Sequence, residues 1–357
     1  MTHLQRFNEA FKEQTAGAVL VNSEANQTWL SGFEFQDGFV LITKDKAYLL
    51  TDFRYIEAAE NEVDKDFEIV TPNGMVNGIK EILTRHGVTE VIFEESRLSV
   101  AELKMLEDRI EGVSFKAGAS RLIDGLREFK DEAEIETIAK AQDLADAAFE
   151  HIIKVMTPNM TEIDVALELE FFMRKNGAKA VSFETIAVSG SASSLPHGVP
   201  RNVKLQQGFL TMDYGALYGG YCSDMTRTVV IGKADEEMKR LYNTVLKAQL
   251  AALEAAAPGV ECRELDRIAR DIIYSAGYEG CFGHGLGHGV GKYVHEAPSV
   301  SGRAPEGKLL TPGHIVTVEP GIYISGKYGC RIEDMIAITE TGIRNFTHSK
   351  KELIELF

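Results

Sequence analysis

Three of the nine histidines of this 357-residue chain lie in one glycine-rich segment, FGHGLGHGVGKYVH, at residues 282–295. They are His284, His288 and His295, and glycine occupies the alternate positions from 283 to 291. Glycine lets a backbone fold tightly, and imidazoles serve as metal ligands, proton carriers or hydrogen-bond donors. The segment therefore predicts a site that needs carboxylates to complete it.

A first pair of carboxylates lies in residues 208–232, where two β-rich runs flank a turn with paired glycines. This is the pattern of a β-hairpin. A turn centred between Tyr218 and Gly219 predicts that Asp213 lies opposite Asp224.

A second pair lies in residues 314–339, which also have a hairpin pattern. A turn centred at Gly326 predicts that Glu319 lies opposite Glu333. A single such residue is ordinary turn or strand-end chemistry, but like charges opposed across a ladder destabilise a hairpin. Two hairpins with this arrangement predict cations between the carboxylates. Two divalent cations would cancel the four negative charges, and one imidazole would complete a five-ligand site.

Five motifs in this order resemble those of the pita-bread metallopeptidases, which include aminopeptidase P, prolidase (Xaa-Pro dipeptidase) and methionine aminopeptidase. MDYGA and YCSDMTRT resemble the two aspartate motifs, HGLGHGVGKYVHEAP resembles the histidine motif, and VEPGIYI and CRIEDMIAIT resemble the two glutamate motifs. The resemblance spans nearly the whole chain. It implies an α/β (α+β) protein, with an N-terminal creatinase-like α/β domain followed by a C-terminal pita-bread domain that has pseudo-twofold halves.

The resemblance also implies the roles of individual residues. The metal ligands would be Asp213, Asp224, His288, Glu319 and Glu333, with Asp224 and Glu333 at the bridging positions. The catalytic set would be His197, His284, His295, Glu319, Tyr323 and Arg331. In it Glu319 is the candidate proton shuttle, and His197 and His295 would donate hydrogen bonds to the substrate carbonyl. For His284, catalysis and support of the loop through a backbone bond both remain open.

Four carboxylates and one imidazole form a hard, oxygen-rich donor set. Manganese, cobalt, iron(II) and zinc are compatible with it, and the resemblance implies manganese or cobalt, with two manganese ions as the expected pair. Two adjacent metals lower the pKa of a bridging water, which then attacks as hydroxide, while one metal polarises the scissile carbonyl.

The leading hypothesis from the resemblance is a dinuclear metallopeptidase that hydrolyses Xaa-Pro bonds in peptides with proline at the second position. Dipeptide cleavage, as in prolidase, and cleavage of longer peptides, as in aminopeptidase P, both remain open. Some prolidases carry an arginine shortly after the VHE histidine for the substrate carboxylate, whereas this chain has Ser299 there, with Arg303 nearby. The alternatives are a creatinase-like C–N hydrolase and a non-catalytic binding module.

Composition limits the classes of partner and the cellular location that we expect for this protein. Thirty-eight Lys and Arg against 54 Asp and Glu give a net charge of −16, which disfavours nucleic acid. No apolar run approaches the length of a membrane span. Four scattered cysteines and an N-terminal segment without a signal-peptide pattern predict a cytoplasmic protein. Homodimers are common among similar proteins, so we expect a homodimer with its contact in the N-terminal domain.

The coarse pattern of elements divides the chain into residues 1–123 and 124–357. The first part alternates apolar runs with helical patterns, which predicts an α/β domain. A polar stretch at 119–136 then leads into a long amphipathic helix. Aligning Pro158 with Pro258 reveals a weak internal repeat in the second part. Trp29 is predicted to pack in a core, although the resemblance leaves a role in substrate access open.

Overall fold

The computed structural model describes residues 1–357 and divides into two compact units, Met1–Arg127 and Glu128–Phe357. No helix in it is both long enough and apolar enough to cross a membrane. The domain limits predicted from the sequence, 1–123 and 124–357, stay a prediction.

The first unit is a six-stranded mixed sheet in the order β4-β3-β2-β1-β5-β6. Its strands are β1 Ala18–Val21, β2 Phe39–Thr43, β3 Ala47–Leu50, β4 Phe67–Val70, β5 Glu90–Phe93 and β6 Ser114–Ala117. Its helices are α1 His3–Lys12, α2 Glu24–Ser31, α3 Ile56–Glu62, α4 Met75–Arg85, α5 Val100–Arg109 and α6 Ala119–Arg127. The predicted α/β fold is confirmed, and helix α6 lies inside the stretch that was predicted only as a polar connection. Trp29 is 2% exposed and belongs to the hydrophobic core of this unit.

The second unit has four long helices and several small sheets. The helices are α7 Glu132–Val155, α8 Glu162–Lys175, α9 Glu236–Ala255 and α10 Cys262–Ser275, with a short 3₁₀ helix at Gly190–Ser194. The strands are β7 Ala180–Val181, β8 Ile186–Ser189, β9 Gly208–Tyr214, β10 Ala216–Tyr218, β11 Tyr221–Cys222, β12 Met225–Ile231, β13 Gly287–Gly289, β14 Glu296–Val300, β15 Ile315–Val318, β16 Gly321–Ile324, β17 Tyr328–Arg331, β18 Asp334–Ile338, β19 Ile343–Asn345 and β20 Glu355–Leu356. Two of its sheets have the orders β20-β12-β9-β8 and β14-β13-β15-β18-β19.

The internal repeat is visible in the helices. Helices α8 and α10 begin and end 100 residues apart, and each is followed by a glycine with positive φ, Gly177 at 116° and Gly277 at 91°. Leu169 and Ala269, which the repeat pairs, are both fully buried. Each helix pair also precedes an antiparallel strand pair, β9–β12 in one half and β15–β18 in the other. The predicted pseudo-twofold halves are therefore confirmed.

The first hairpin differs from its predicted register. Its tight turn consists of Gly219 and Gly220, both with positive φ, as a two-residue hairpin turn requires. Asp213 pairs with Thr226, not with Asp224. The predicted turn was centred one residue too early, and such an error displaces every cross-strand partner by two residues.

The second hairpin has the predicted register. Val318 pairs with Asp334 in one ladder and Gly321 pairs with Arg331 in the next. Glu319 and Glu333 occupy the gap between these two ladders. The turn is centred at Gly326, which has φ of 71°.

Candidate metal centre

The five predicted ligands come from strands of the two repeat-related sheets, or from residues beside them. Asp213 lies in β9, Asp224 directly precedes β12, and His288 is the middle residue of β13. Glu319 directly follows β15, and Glu333 directly precedes β18. Ends of strands from both halves therefore supply the donor atoms.

Close packing of backbones brings the histidine strand to this position. Strand β13 lies between β14 and β15. A Cβ atom on Gly287 would lie 2.0 Å from the carbonyl oxygen of Thr317. Only glycine therefore allows β13 to approach β15 this closely.

Three of the five predicted ligands form one cluster, and a fourth, Glu319, contacts it through His288. Ligand atoms of Asp224, His288 and Glu333 all lie within 4.8 Å of one another. His288 Nε2 lies 3.5 Å from Asp224 Oδ2 and 3.3 Å from Glu319 Oε1. Asp213 lines the same cavity as these four residues.

Burial dominates the electrostatics of the carboxylates, and their mutual repulsion adds to it. Burial raises the pKa of Asp224 and of Glu333 well above the usual range, and the neighbouring carboxylates raise both further. Burial and the charge of Glu319 also raise the pKa of Asp213, although Arg331 opposes this shift. Glu319 differs: burial alone would raise its pKa, but the hydrogen bond and charge of His288, with smaller contributions from His284 and Arg331, lower the pKa to about 2. Four carboxylates at this spacing need bound protons or cations among them.

At this centre, two buried carboxylate oxygens have no hydrogen-bond partner, namely Asp213 Oδ1 and Glu333 Oε1. The other oxygen of each group is held by the protein. Arg331 Nη2 donates to Asp213 Oδ2, and Thr226 Oγ1 donates to Glu333 Oε2 over 2.6 Å. Because buried polar atoms in proteins nearly always have partners, the unpaired oxygens fit divalent cations bound by hard ligands.

The ring of His288 is oriented to offer one nitrogen to the centre. Its Nδ1 lies 3.1 Å from the carbonyl oxygen of Gly289, which accepts only an N–H donor, so Nε2 faces the carboxylates. Burial favours the neutral imidazole, but the bond and charge of Glu319 raise the pKa of His288. A cation therefore competes with a proton for Nε2.

Three of the predicted catalytic residues form a chain of hydrogen bonds beside this cluster, namely Arg331, Tyr323 and His284. Arg331 Nη1 donates to the hydroxyl of Tyr323 over 2.7 Å. That hydroxyl lies 3.0 Å from His284 Nε2, and His284 Nδ1 lies 2.8 Å from the carbonyl oxygen of Gly285. Since Nδ1 donates to a carbonyl, Nε2 of a neutral ring accepts from Tyr323. Burial lowers the pKa of His284 and raises that of Tyr323 to about 12, so both are neutral near pH 7.

His295 and His197 are placed differently from His284. The ring centroid of His295 lies 4.3 Å from that of His288, and burial, reinforced by His288, lowers its pKa. His197 follows the 3₁₀ helix Gly190–Ser194 and is exposed. Both line the same cavity of about 820 Å³ as the predicted ligands.

Two threonines that the sequence reasoning missed support the ligands. Thr226 accepts a hydrogen bond from Arg331 Nε at 3.0 Å in addition to donating to Glu333. Thr317 accepts from the backbone N–H of His288 at 3.1 Å and donates to Glu319 Oε1 at 3.2 Å. Each lies two residues from a predicted ligand, Asp224 or Glu319. Because alternate residues of a strand share a face, that spacing was a usable signal.

Comparison with known proteins assigns the family. Residues 136–340 match metallopeptidase family M24, and residues 3–129 match the creatinase/prolidase N-terminal domain. The chain belongs to metallopeptidase family M24. As a member of that family it is a peptidase, which disfavours a non-catalytic binding module.

Solved structures and a curated relative match this M24 peptidase over almost its full length. The Xaa-Pro dipeptidase from Bacillus anthracis superposes with a TM-score of 0.95 at 40% identity and covers 99% of both chains. The X-Pro aminopeptidase from Thermotoga maritima MSB8 gives a TM-score of 0.91 at 34% identity, covering 98% of this chain and 100% of the other. The Xaa-Pro dipeptidase of Pyrococcus horikoshii is 37% identical over 359 residues, 98% of each chain.

Proposed function

We propose that this M24 peptidase is a dinuclear metal-dependent enzyme that hydrolyses Xaa-Pro peptide bonds. The observation that carries the proposal is the pair of buried, unpartnered oxygens, Asp213 Oδ1 and Glu333 Oε1, beside the cluster of Asp224, His288 and Glu319. These five residues would hold two divalent cations, for which we propose manganese. When bound, such cations lower the pKa of water and polarise a carbonyl group.

The residues around the ligands keep them in one orientation. Arg331 binds Asp213, Thr226 and Tyr323 at once, so a single guanidinium orients one ligand directly and a second, Glu333, through Thr226. Partners of this kind fix ligand geometry and tune ligand basicity. We assign Arg331 and Tyr323 this role.

Three residues act on the peptide in this proposal. His197 and His295 donate hydrogen bonds to the scissile carbonyl oxygen and stabilise the charge that develops on it. Glu319 takes a proton from the attacking water and delivers it to the proline nitrogen as the C–N bond breaks. The leaving nitrogen gains that proton, and the acyl carbon gains the hydroxyl group.

The cavity offers an apolar surface suited to a proline ring. Phe183, Ile186, Val199 and Val294 line it together with the predicted site residues. A pyrrolidine ring has no N–H once it is in a peptide bond, so apolar contact is the main interaction it offers. The proline-specific names of the similar proteins support the same substrate class.

Dipeptides are the substrate length that we propose. Arg303 lines the cavity, is exposed, and forms no ion pair with the protein. A guanidinium in that position suits the free carboxylate of a dipeptide. Ser299, which stands where some prolidases have an arginine, lines the same cavity.

The test is hydrolysis of Ala-Pro and of Ala-Pro-Ala by metal-stripped enzyme before and after addition of manganese, with Glu319→Ala as the inactive control. We expect manganese-dependent cleavage of Ala-Pro. Efficient cleavage of Ala-Pro-Ala with little turnover of Ala-Pro would instead assign an aminopeptidase. Absence of manganese-dependent cleavage of either peptide would refute the proposal.

Arg303→Ala tests the assignment of substrate length. We expect KM for Ala-Pro to rise about tenfold or more, the equivalent of one charge-assisted hydrogen bond, with little change in kcat. Arg263→Ala removes a neighbouring arginine that contacts only the carbonyl oxygen of Ala304 and is the matched control. An unchanged KM in Arg303→Ala would remove Arg303 from the site.

A further inference from the structure

Asp266 and Arg270, one turn apart on α10, form a two-point ion pair next to the histidine segment. Arg270 Nε lies 2.9 Å from Asp266 Oδ2, and Arg270 Nη2 lies 2.9 Å from Asp266 Oδ1. The side chain of Asp266 is 2% exposed and that of Arg270 is 23% exposed. Paired bonds of this type fix the planes of both groups.

This pair binds the backbone of the segment at three alternate residues. Arg270 Nη1 donates to the carbonyl oxygen of Phe282 over 2.7 Å, and Nη2 donates to that of His284 over 2.8 Å. Asp266 Oδ1 accepts the backbone N–H of Leu286 at 2.9 Å. The guanidinium also lies over the ring of Phe282, 4.3 Å from its centroid. The backbone is thus held on both sides of His284, at Phe282 and at Leu286.

The segment lacks regular structure of its own at this point. Residues 281–286 belong to no helix or strand, and two of them, Gly283 and Gly285, are glycines with large conformational freedom. Ordering such a stretch is costly in entropy, so contacts from outside must hold it. The ion pair supplies those contacts directly before β13, which carries His288.

The other half of the internal repeat has no such pair. Ala166 and Glu170 occupy the equivalent positions on α8, which nevertheless forms a helix of the same length as α10. The helix therefore does not require an Asp–Arg pair at these positions. The pair occurs in the half that carries the histidine segment.

We propose that Asp266 and Arg270 are positioning residues that hold His284 and His288 in their working geometry. This inference rests on the proposed function, which makes His288 a metal ligand and gives Tyr323, the hydrogen-bond partner of His284, a role in orienting the ligands. Arg270 lines the cavity, but all of its guanidinium nitrogens bond to the protein, so we assign it a role through the segment and not on the peptide. Without the pair, the backbone carrying His284 would move and the hydrogen bond of His284 to Tyr323 would weaken. His288 Nε2 would then no longer point toward Asp224 and Glu319.

Arg270→Gln and Asp266→Asn test the proposal, with Arg267→Gln as the matched control. Arg267 lies one turn earlier on α10 and makes equally short ion pairs with Glu264 and Asp271, but it contacts no part of the segment. The readouts are kcat and KM for Ala-Pro, manganese affinity by calorimetry, and amide hydrogen exchange of residues 282–288. We expect both test variants to lose about 10–100-fold in kcat or in manganese affinity, the range for residues that orient metal ligands, and to exchange these amides faster.

The control should stay within about twofold of wild type in every readout. The double variant Asp266→Asn/Arg270→Gln should lose little more than either single variant, since residues of one unit are non-additive. Arg270→Lys keeps the charge but cannot make the two-point pair and both carbonyl bonds, so we expect an intermediate loss. If Arg270→Gln fails to fold, Arg270→Lys decides the question.

A folded Arg270→Gln or Arg270→Lys protein that matches Arg267→Gln in kcat, manganese affinity and exchange would overturn the proposal. Failure of the proposed function is distinguishable, because wild-type enzyme with manganese would then not cleave Ala-Pro. Exchange and manganese affinity would still report whether the pair positions the segment.

Discussion

The two histidine rings of the HGLGHG run, His284 and His288, are oriented by the same kind of backbone contact. His284 Nδ1 and His288 Nδ1 each face the carbonyl oxygen of the glycine that follows, at 2.8 and 3.1 Å. This leaves both Nε2 atoms for the centre, one toward Tyr323 and the other toward Asp224 and Glu319. For His284, the backbone bond and the contact with the site residues therefore coexist, through different nitrogens of one ring.

His295→Ala tests the assignment of His295 to the substrate carbonyl. We expect kcat for Ala-Pro to fall about 100–1000-fold, the usual cost of removing one such donor. Manganese content should not change, because His295 is outside the set of proposed ligands. His348→Ala, at an exposed histidine that does not line the cavity, is the control. Near-wild-type turnover of His295→Ala at unchanged metal content would contradict the assignment.

Asp224→Asn tests whether the carboxylate cluster destabilises the metal-free protein and whether it binds manganese. Because burial and Glu333 raise the pKa of Asp224, its charged form destabilises the metal-free fold. We expect the metal-free variant to be more stable than metal-free wild type at pH 7.5. Manganese affinity should fall at the same time. Urea unfolding and calorimetry measure the two effects, and a loss of metal-free stability would contradict the prediction.

At the scale of elements, the register of each hairpin could be predicted only as well as the centre of its turn. The second hairpin has a three-residue turn around Gly326, and its register follows from that centre. In the first, Gly219 and Gly220 are the two central residues of the turn, whereas the predicted centre made Tyr218 and Gly219 that pair. Asp213 and Asp224 nevertheless reach one site, because a displacement of two residues keeps both on the same face of the hairpin as diagonal neighbours.

Contacts between elements that are far apart in the sequence could not be predicted from the sequence. Glu162, the first residue of α8, is fully buried and accepts hydrogen bonds from Ser189 and Arg201, at both ends of the loop that carries His197. Periodicity places Glu162 at a helix start but cannot reveal a partner 39 residues away. The same holds for the contacts of Asp266 with the histidine segment.

Arg201→Ala tests this loop anchor. Glu162 keeps its bonds from the backbone N–H groups of Ser189 and Arg201, but it loses its charged partner. We expect the free energy of unfolding to fall by about 1–3 kcal/mol, the range for a buried group that loses a partner. Turnover should also fall, because His197 lies on the loop. Lys204→Ala, which removes only an exposed bond to Asn159, is the control. Equal stability of the two variants would show that the anchor is unimportant.

At the scale of the whole molecule, the order of motifs along the chain was more informative than any single element. Matching halves 100 residues apart and an α/β unit ahead of them were predicted from apolar patterns and are observed. Burial shows why the repeat was faint. Buried positions such as Leu169 and Ala269 only need to be apolar, whereas outer positions such as Leu167 and Arg267 have diverged completely.

The last prediction concerns how metal and pH together set the stability of the protein. Asp213, Asp224 and Glu333 have raised pKa values, so the folded metal-free protein binds their protons more tightly than the unfolded chain. Their contribution to stability is therefore greatest in acid and declines as pH rises above about 4. Glu319, with its pKa lowered to about 2, acts in the opposite sense, and its contribution is lost as pH falls below about 4. Three groups oppose one, so this cluster should destabilise the metal-free protein at neutral pH.

Manganese should reverse this loss, because it binds the deprotonated ligands. We expect the difference in Tm between manganese-loaded and metal-stripped protein to grow from pH 5 to pH 7.5. A manganese concentration of 100 times Kd stabilises the fold by about 2.7 kcal/mol. The difference between the two forms isolates this cluster from the many other carboxylates of the chain, and Asp224→Asn should flatten its dependence on pH. A difference in Tm that is constant over this range would show that the four carboxylates are not the manganese ligands.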